Sequence, residues 1–189
     1  MPRKAAPGTR ERVLETAATL FYEHGIRAVG MQRIVNEVGC GKMLLYREFP
    51  SKADLVAGYL EKARDSWERR AGKAAAQAPD DDPETQLNAL IDAVVEQVRE
   101  PSYRGCPFRN YLAEFSDHSD RAGRIAVDYL QDVRAQVTAL VNRMDLAEPD
   151  VATERIWLTI EGLYASSARP GGERAAEVAV SLVRDIIRR

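Results

Sequence analysis

Cysteine is scarce in this sequence. Cys40 and Cys106 are too few for a disulfide scaffold or a cysteine-based zinc site. Histidine is equally scarce: His24 and His118 lie far apart, and no helix offers a spaced pair for zinc. Neither a Gly-rich phosphate loop nor a Gly-x-Ser-x-Gly nucleophile turn is present. Catalysis is therefore not expected, and neither a cofactor nor a metal is. Apolar runs extend only a few residues, whereas a bilayer-spanning helix takes about 20. Residues 1–8 carry charge with no apolar stretch behind it, so they are not expected to act as a signal peptide. The expected compartment is a reducing cytoplasm. No stretch alternates apolar and polar residues with the period of two that marks a half-buried strand.

What remains is a chain of 189 residues, 45% hydrophobic and 30% charged. That length suits one domain or two small ones, with a real core. A net charge of −2 with both signs interspersed excludes disorder across the chain. The balance hides an asymmetry. Residues 1–52 hold nine Lys/Arg against five acids, while residues 53–189 hold 18 against 24. A basic head on an acidic body points to an anionic partner for the head, although an excess this mild also arises by chance.

Helical periodicity runs throughout, and the fold class expected is all-α with about nine helices. Thr9 can cap helix 1, whose Val13, Ala17, Leu20, Phe21 and His24 fall on one side before Gly25 ends it. Short helices follow over residues 31–38 and 41–48. Pro50-Ser51 breaks the chain, and Ser51 can cap a long helix over 52–77. Asp82-Pro83-Glu84 restarts a helix with a cap, a proline at the first position and an acid in the first turn. Further helices are expected over 107–118, 120–144, 150–168 and 173–188, the last two joined by Arg169-Pro-Gly-Gly172. The division expected is a helix-turn-helix head at 1–51 and an all-α body at 52–189.

Two short helices joined by Gly39-Cys40-Gly41 form the skeleton of a helix-turn-helix. At 100° per residue, Lys42, Met43, Tyr46 and Arg47 fall within an arc of about 140°. Leu45 and Phe49 point to the other side as plugs. Lys and Arg on such an arc can bond guanine edges or phosphates, and a tyrosine hydroxyl can reach phosphate. Lys52 and the free amides opening the fourth helix would add a phosphate clamp. Spacing alone leaves a packing-only hairpin open.

The strings Gly25-Ile26, Met31-Gln-Arg-Ile-Val-Asn-Glu-Val-Gly39 and Lys42-(x)2-Leu45-Tyr46-(x)2-Phe49-Pro50-Ser51-Lys52-(x)2-Leu55 closely resemble the DNA-binding head of TetR-family transcriptional regulators. The resemblance is specific over residues 9–60. It implies a homodimeric repressor on double-stranded operator DNA, released when a small molecule binds its helical body. It makes Lys42, Tyr46 and Lys52 DNA-contacting positions and Leu45 and Phe49 structural ones. The family often has a small residue at Met43, a small hydroxylated one at Leu44, an aromatic at Arg47 and histidine at Glu48. It often caps helix 2 with Ser or Thr, where Gly30 stands here. Glu48 either reads a cytosine amine or faces away. Arg3-Lys4 is either a minor-groove arm or a disordered tail.

In the body, residues 103–115 mix aromatic and polar side chains as a binding pocket does. Asn110 and Glu114 are i,i+4 neighbours flanked by Tyr111 and Phe115, and need partners. A ligand, Arg104, Arg109 or another helix can supply them. The effector-contact set expected is Trp67, Phe108, Asn110, Tyr111, Glu114, Phe115 and Trp157. A Gly-Cys-x-Phe-x-Asn string around Cys106 resembles a segment in some TetR-family effector domains, where the cysteine responds to oxidants or electrophiles. The alternative function is therefore a thiol stress sensor with Cys106 as the reactive residue; the opposing reading is a buried small hydrophobe. Apolar stripes at Ala152, Ile156, Trp157, Ile160, Leu163, Tyr164 and Ala168, and at Ala176, Val180, Val183 and Ile187, are either intramolecular core or a dimer surface. The resemblance implies a homodimer through residues 150–189.

Overall fold

The structure, a computed structural model, describes residues 8–168 and 174–188. Arg3 and Lys4, the loop at 169–172 and Glu173 lie outside the described residues. Among the described residues the fold is all-helical, with nine helices. They are α1 (Thr9–His24), α2 (Met31–Val38), α3 (Lys42–Glu48), α4 (Lys52–Ala75), α5 (Pro83–Val98), α6 (Pro107–Glu114), α7 (Arg121–Val141), α8 (Pro149–Ser167) and α9 (Ala175–Ile187).

The chain forms two compact units, Met1–Arg64 with Pro107–Asp128, and Asp65–Cys106 with Tyr129–Arg189. The first unit holds the three-helix head and, in addition, the first half of α4, all of α6 and the start of α7. In the head, α1 buries Val13, Ala17, Leu20 and Phe21 at the three- and four-residue spacing of one helical face. Thr9 is not the cap. Gly8 holds that position in a left-handed conformation, and Thr9 is the first helical residue, 5% exposed. Gly25 ends α1 at φ 82° and ψ 150°, its amide donating to Phe21 O at 2.9 Å. Arg12 Nη2 donates to Val38 O at 3.1 Å, closing the C-terminal end of α2. Leu45 is fully buried and Phe49 nearly so, with the Arg10 guanidinium 4.5 Å from the Phe49 ring centre. Ser51 caps α4 as expected, accepting the Asp54 amide at 3.0 Å. Within this unit α4 buries Leu55, Val56, Tyr59 and Leu60, and Tyr59 tilts against Phe21 at 5.8 Å.

Helix α6 is shorter than its apolar pattern predicts. After Glu114 the side chains take over the backbone groups that a further turn would need. His118 Nε2 lies 2.7 Å from Phe115 O, and Asp117 accepts the Ser119 amide at 2.9 Å.

In the second unit α8 packs on α9, and α5 packs against both. Asp82 caps α5 by accepting the Thr85 amide at 2.9 Å, with Pro83 next. Tyr103 donates to Tyr164 O at 3.1 Å, and Tyr164 donates to Gln97 Oε1 at 3.1 Å. The apolar stripes of the last two helices are largely internal. Ala152, Ile156, Ile160, Leu163, Tyr164, Ala176, Val183 and Ile187 are buried within the chain. The apolar residues left outside are different ones: Val151 and Leu158 on α8, Val178 and Leu182 on α9. No described helix is long and apolar enough to cross a membrane.

Candidate nucleic-acid interface

The short α3 has one job that its sequence makes plain. Leu45 anchors it, and the opposite arc is left to solvent. Lys42, Met43, Tyr46 and Arg47 are all exposed, Met43 by 85%. Gly41, extended at φ −71° and ψ 143°, starts the helix, and the left-handed Gly39 just before it swings α3 away from α2. The Lys42 ammonium lies 5.9 Å from the Tyr46 ring centre. Arg47 reaches back to Glu48, donating from Nε at 3.3 Å and from Nη2 at 3.1 Å to the same oxygen. Glu48 is therefore engaged by its neighbour.

Lys52 sits at the first position of α4, half-buried. Burial holds its ammonium below the ordinary lysine value, against the Glu114 carboxylate, which favours the charged form. The five side chains nominated for DNA, three cationic with Tyr46 and Met43, thus belong to one unit, four of them on one face of α3.

The seven residues expected to contact an effector are divided between the units. Phe108, Asn110, Tyr111 and Glu114 on α6, and Phe115 just after it, are in the first; Trp67 and Trp157 are in the second. Tyr111 is 2% exposed, stacks on Phe115 at 4.8 Å and donates to Asp120 Oδ1 at 2.9 Å. Burial, and then the carboxylate, hold its phenol well above its ordinary pKa. Glu114 has partners the sequence reading did not name. Its Oε1 accepts the Ile26 amide at 3.0 Å and its Oε2 the Arg27 amide at 2.9 Å. The only local signal for this was a polar pair needing partners, because the contact spans 88 residues of chain. Sequence reasoning also missed a groove of about 720 Å³ in the second unit, lined by α4 and α5 residues including Ser66, Arg69, Lys73, Asn88 and Asp92. Cys106 is buried at 2% exposure, as a small hydrophobe would be, and nothing here supports the thiol-sensor alternative.

An exposed, basic second helix in a glycine-turned pair defines a helix-turn-helix protein. The profile of the family described as bacterial regulatory proteins, tetR family, matches residues 13–59. Over 63 residues the chain is 40% identical to the HTH-type transcriptional regulator SAUSA300_2515 of Staphylococcus aureus, a match covering 33% of this chain and 34% of that protein. The match thus spans about a third of the length of that curated relative. Over almost the whole chain the fold is similar to SCO4454, a TetR-family transcriptional regulator from Streptomyces coelicolor. That likeness has a TM-score of 0.88 and 29% identity, covering 95% of this chain and 94% of the other. The fold is also that of SmeT in its triclosan complex, with a TM-score of 0.72 and 16% identity over 94% and 90% of the two chains. Residues 13–59 thus match the TetR family, within a fold that over almost the whole chain is similar to that of a TetR-family regulator.

Proposed function

We propose that this chain is a transcriptional regulator that binds duplex DNA as a homodimer and loses affinity when a small molecule binds its body. The observation that carries the DNA reading is the face of α3. Lys42, Met43, Tyr46 and Arg47 stand clear of a core that Leu45 and Phe49 already fill. A basic, exposed helical face of this length suits a major groove, with Lys52 on phosphate. Dimerisation is supported by Val151 and Leu158 on α8 and Val178 and Leu182 on α9, apolar side chains exposed at helical spacings of seven and four. Gly162 and Ala165 continue the α8 stripe with small residues that let a second helix approach closely.

Effector control is supported by the triclosan complex of SmeT, which shares the fold. The proposed contacts are Asn110, Phe108 and Tyr111 on α6 and Phe115 just after it. Repression rather than activation is the family-level expectation.

The test is selection of bound fragments from random duplex DNA, followed by titration at several salt concentrations. Lys52→Ala weakens binding to every duplex and flattens the salt slope by roughly one unit. Lys42→Ala and Arg47→Ala change sequence preference as well. Parent-like binding by both Tyr46→Phe and Lys52→Ala overturns the docking of α3. Effector control is checked by screening small molecules for loss of the selected duplex, then comparing the parent with Asn110→Ala.

A further inference from the structure

The first unit contains a joint that DNA docking does not use directly. Helix α1 ends at Gly25, and the chain turns through Ile26 and Arg27 before α2 begins. Both amides of that turn point at one carboxylate, each to its own oxygen, at 3.0 and 2.9 Å. The carboxylate belongs to Glu114, the last residue of α6. The same turn is gripped a second time, because the Arg27 guanidinium lies 4.9 Å from the ring centre of Phe115, the next residue along. Phe115 is itself fixed by stacking on buried Tyr111. A third contact is close approach: a side chain at Gly25 would meet Glu114 Oε1 at 3.2 Å.

We propose that Glu114 is a positioning residue for DNA binding: an ionised carboxylate on α6 that clamps the α1–α2 turn and so fixes the seat from which α2 and α3 project. The inference rests on the DNA-binding reading above. It assigns Glu114 to the head and not to an effector. Amides bonded to a charged acceptor are held about twice as strongly as by a neutral one. A bidentate acceptor also fixes direction, which a single bond does not. Helix α2 starts four residues beyond Arg27, so a turn free to rotate moves the whole helix-turn-helix.

The deciding variant is Glu114→Gln. It keeps the shape of the side chain but turns one acceptor oxygen into an NH₂ donor facing an amide N–H. Charge and positioning then predict opposite signs. Removing a negative charge from the first unit should tighten binding to DNA by Coulomb's law alone. Loss of the clamp should weaken it, by about tenfold, a coupling of the usual size. The measurements are affinity for the duplex recovered by selection, and amide hydrogen exchange by NMR at Ile26 and Arg27 with Leu60 as a core control. The expected result is weaker binding, about tenfold or more faster exchange at the two turn amides, and unchanged exchange at Leu60. Glu114→Ala should do the same; if it fails to fold, Glu114→Gln alone decides. Binding as tight as the parent's, or tighter, overturns the proposal and leaves the DNA-binding reading standing. So does unchanged exchange at both turn amides, or faster exchange at Leu60, which marks general loosening. A parent that selects no duplex at all overturns the DNA-binding reading, and the role of the clamp with it.

Discussion

Gly25 is the residue whose replacement should be felt most for its size. Its φ of 82° and ψ of 150° lie in a region that side chains other than hydrogen essentially do not enter, at a cost of roughly 1–3 kcal/mol. The added methyl would also stand 3.2 Å from Glu114 Oε1 and 3.6 Å from Cδ and Oε2. That carboxylate ends a flexible side chain, yet two amides hold it in place, so it must yield a few tenths of an ångström against both. Loosening them adds about 1 kcal/mol, a typical net hydrogen-bond contribution. Gly25→Ala should therefore destabilise the chain by about 2–4 kcal/mol. For a chain of this size, each kcal/mol lowers the melting midpoint by about 2–4 °C. The assay is thermal unfolding followed by circular dichroism, with a double-mutant cycle against Glu114→Ala. In the Glu114→Ala background Gly25→Ala should cost about 1 kcal/mol less, since only backbone strain remains. Gly39 provides the contrast. It is left-handed at φ 67° and ψ 29° with nothing within 4 Å of the position of a Cβ. Gly39→Ala should cost about 1–2 kcal/mol, and Gly39→Asn less. A Gly25→Ala protein that melts with the parent refutes the strain argument. Equal costs in both Glu114 backgrounds refute the close approach.

Leu45→Ala should cost about 2–5 kcal/mol in denaturant unfolding, because the side chain is fully buried and is the main anchor of α3. Leu158→Glu with Leu182→Glu should give a folded monomer in sedimentation, whereas Leu163→Glu, at 2% exposure, should unfold the chain. A dimer that survives the first pair places the subunit interface elsewhere. Asp82 is held below its ordinary 3.8 by the Thr85 hydroxyl and amide. A depressed carboxyl stabilises the fold above its unfolded value and loses that contribution as pH falls through the folded one. Asp82→Asn should therefore flatten the acid limb of the stability profile below about pH 4.

The helices were legible because their punctuation is local. Gly25, Gly39, Pro50-Ser51 and Asp82-Pro83 mark boundaries that the structure repeats to within a residue or two. The α3 face was legible for the same reason, since four exposed and two buried residues on eight positions leave little choice. The C-terminal helices were harder. Periodicity identifies an apolar stripe but not whether it faces inward. Helix α8 carries both kinds, with Ile156 and Leu163 inside and Val151 and Leu158 outside. The partner of Glu114 was not legible at all. Two backbone amides have no residue identity to read, and they lie on the far side of α4 and α5 in sequence. The early end of α6 turned on His118 and Asp117 engaging nearby backbone groups, which an apolar count does not register.

The first unit is discontinuous in the chain, closed only when Pro107–Asp128 returns to Met1–Arg64. This sets a rule for exchanging heads between regulators of this kind. A graft cut at the end of α3, or even midway along α4, carries the exposed face of α3 and leaves behind the carboxylate that accepts the two amides of its first turn. Such a chimaera would present Ile26 and Arg27 to whatever side chain the recipient has at the end of its own sixth helix. Compatible donors and recipients should then be recognised by an acid at that position, and transplants should carry both pieces of chain. Length changes between residues 65 and 106 fall wholly in the other unit.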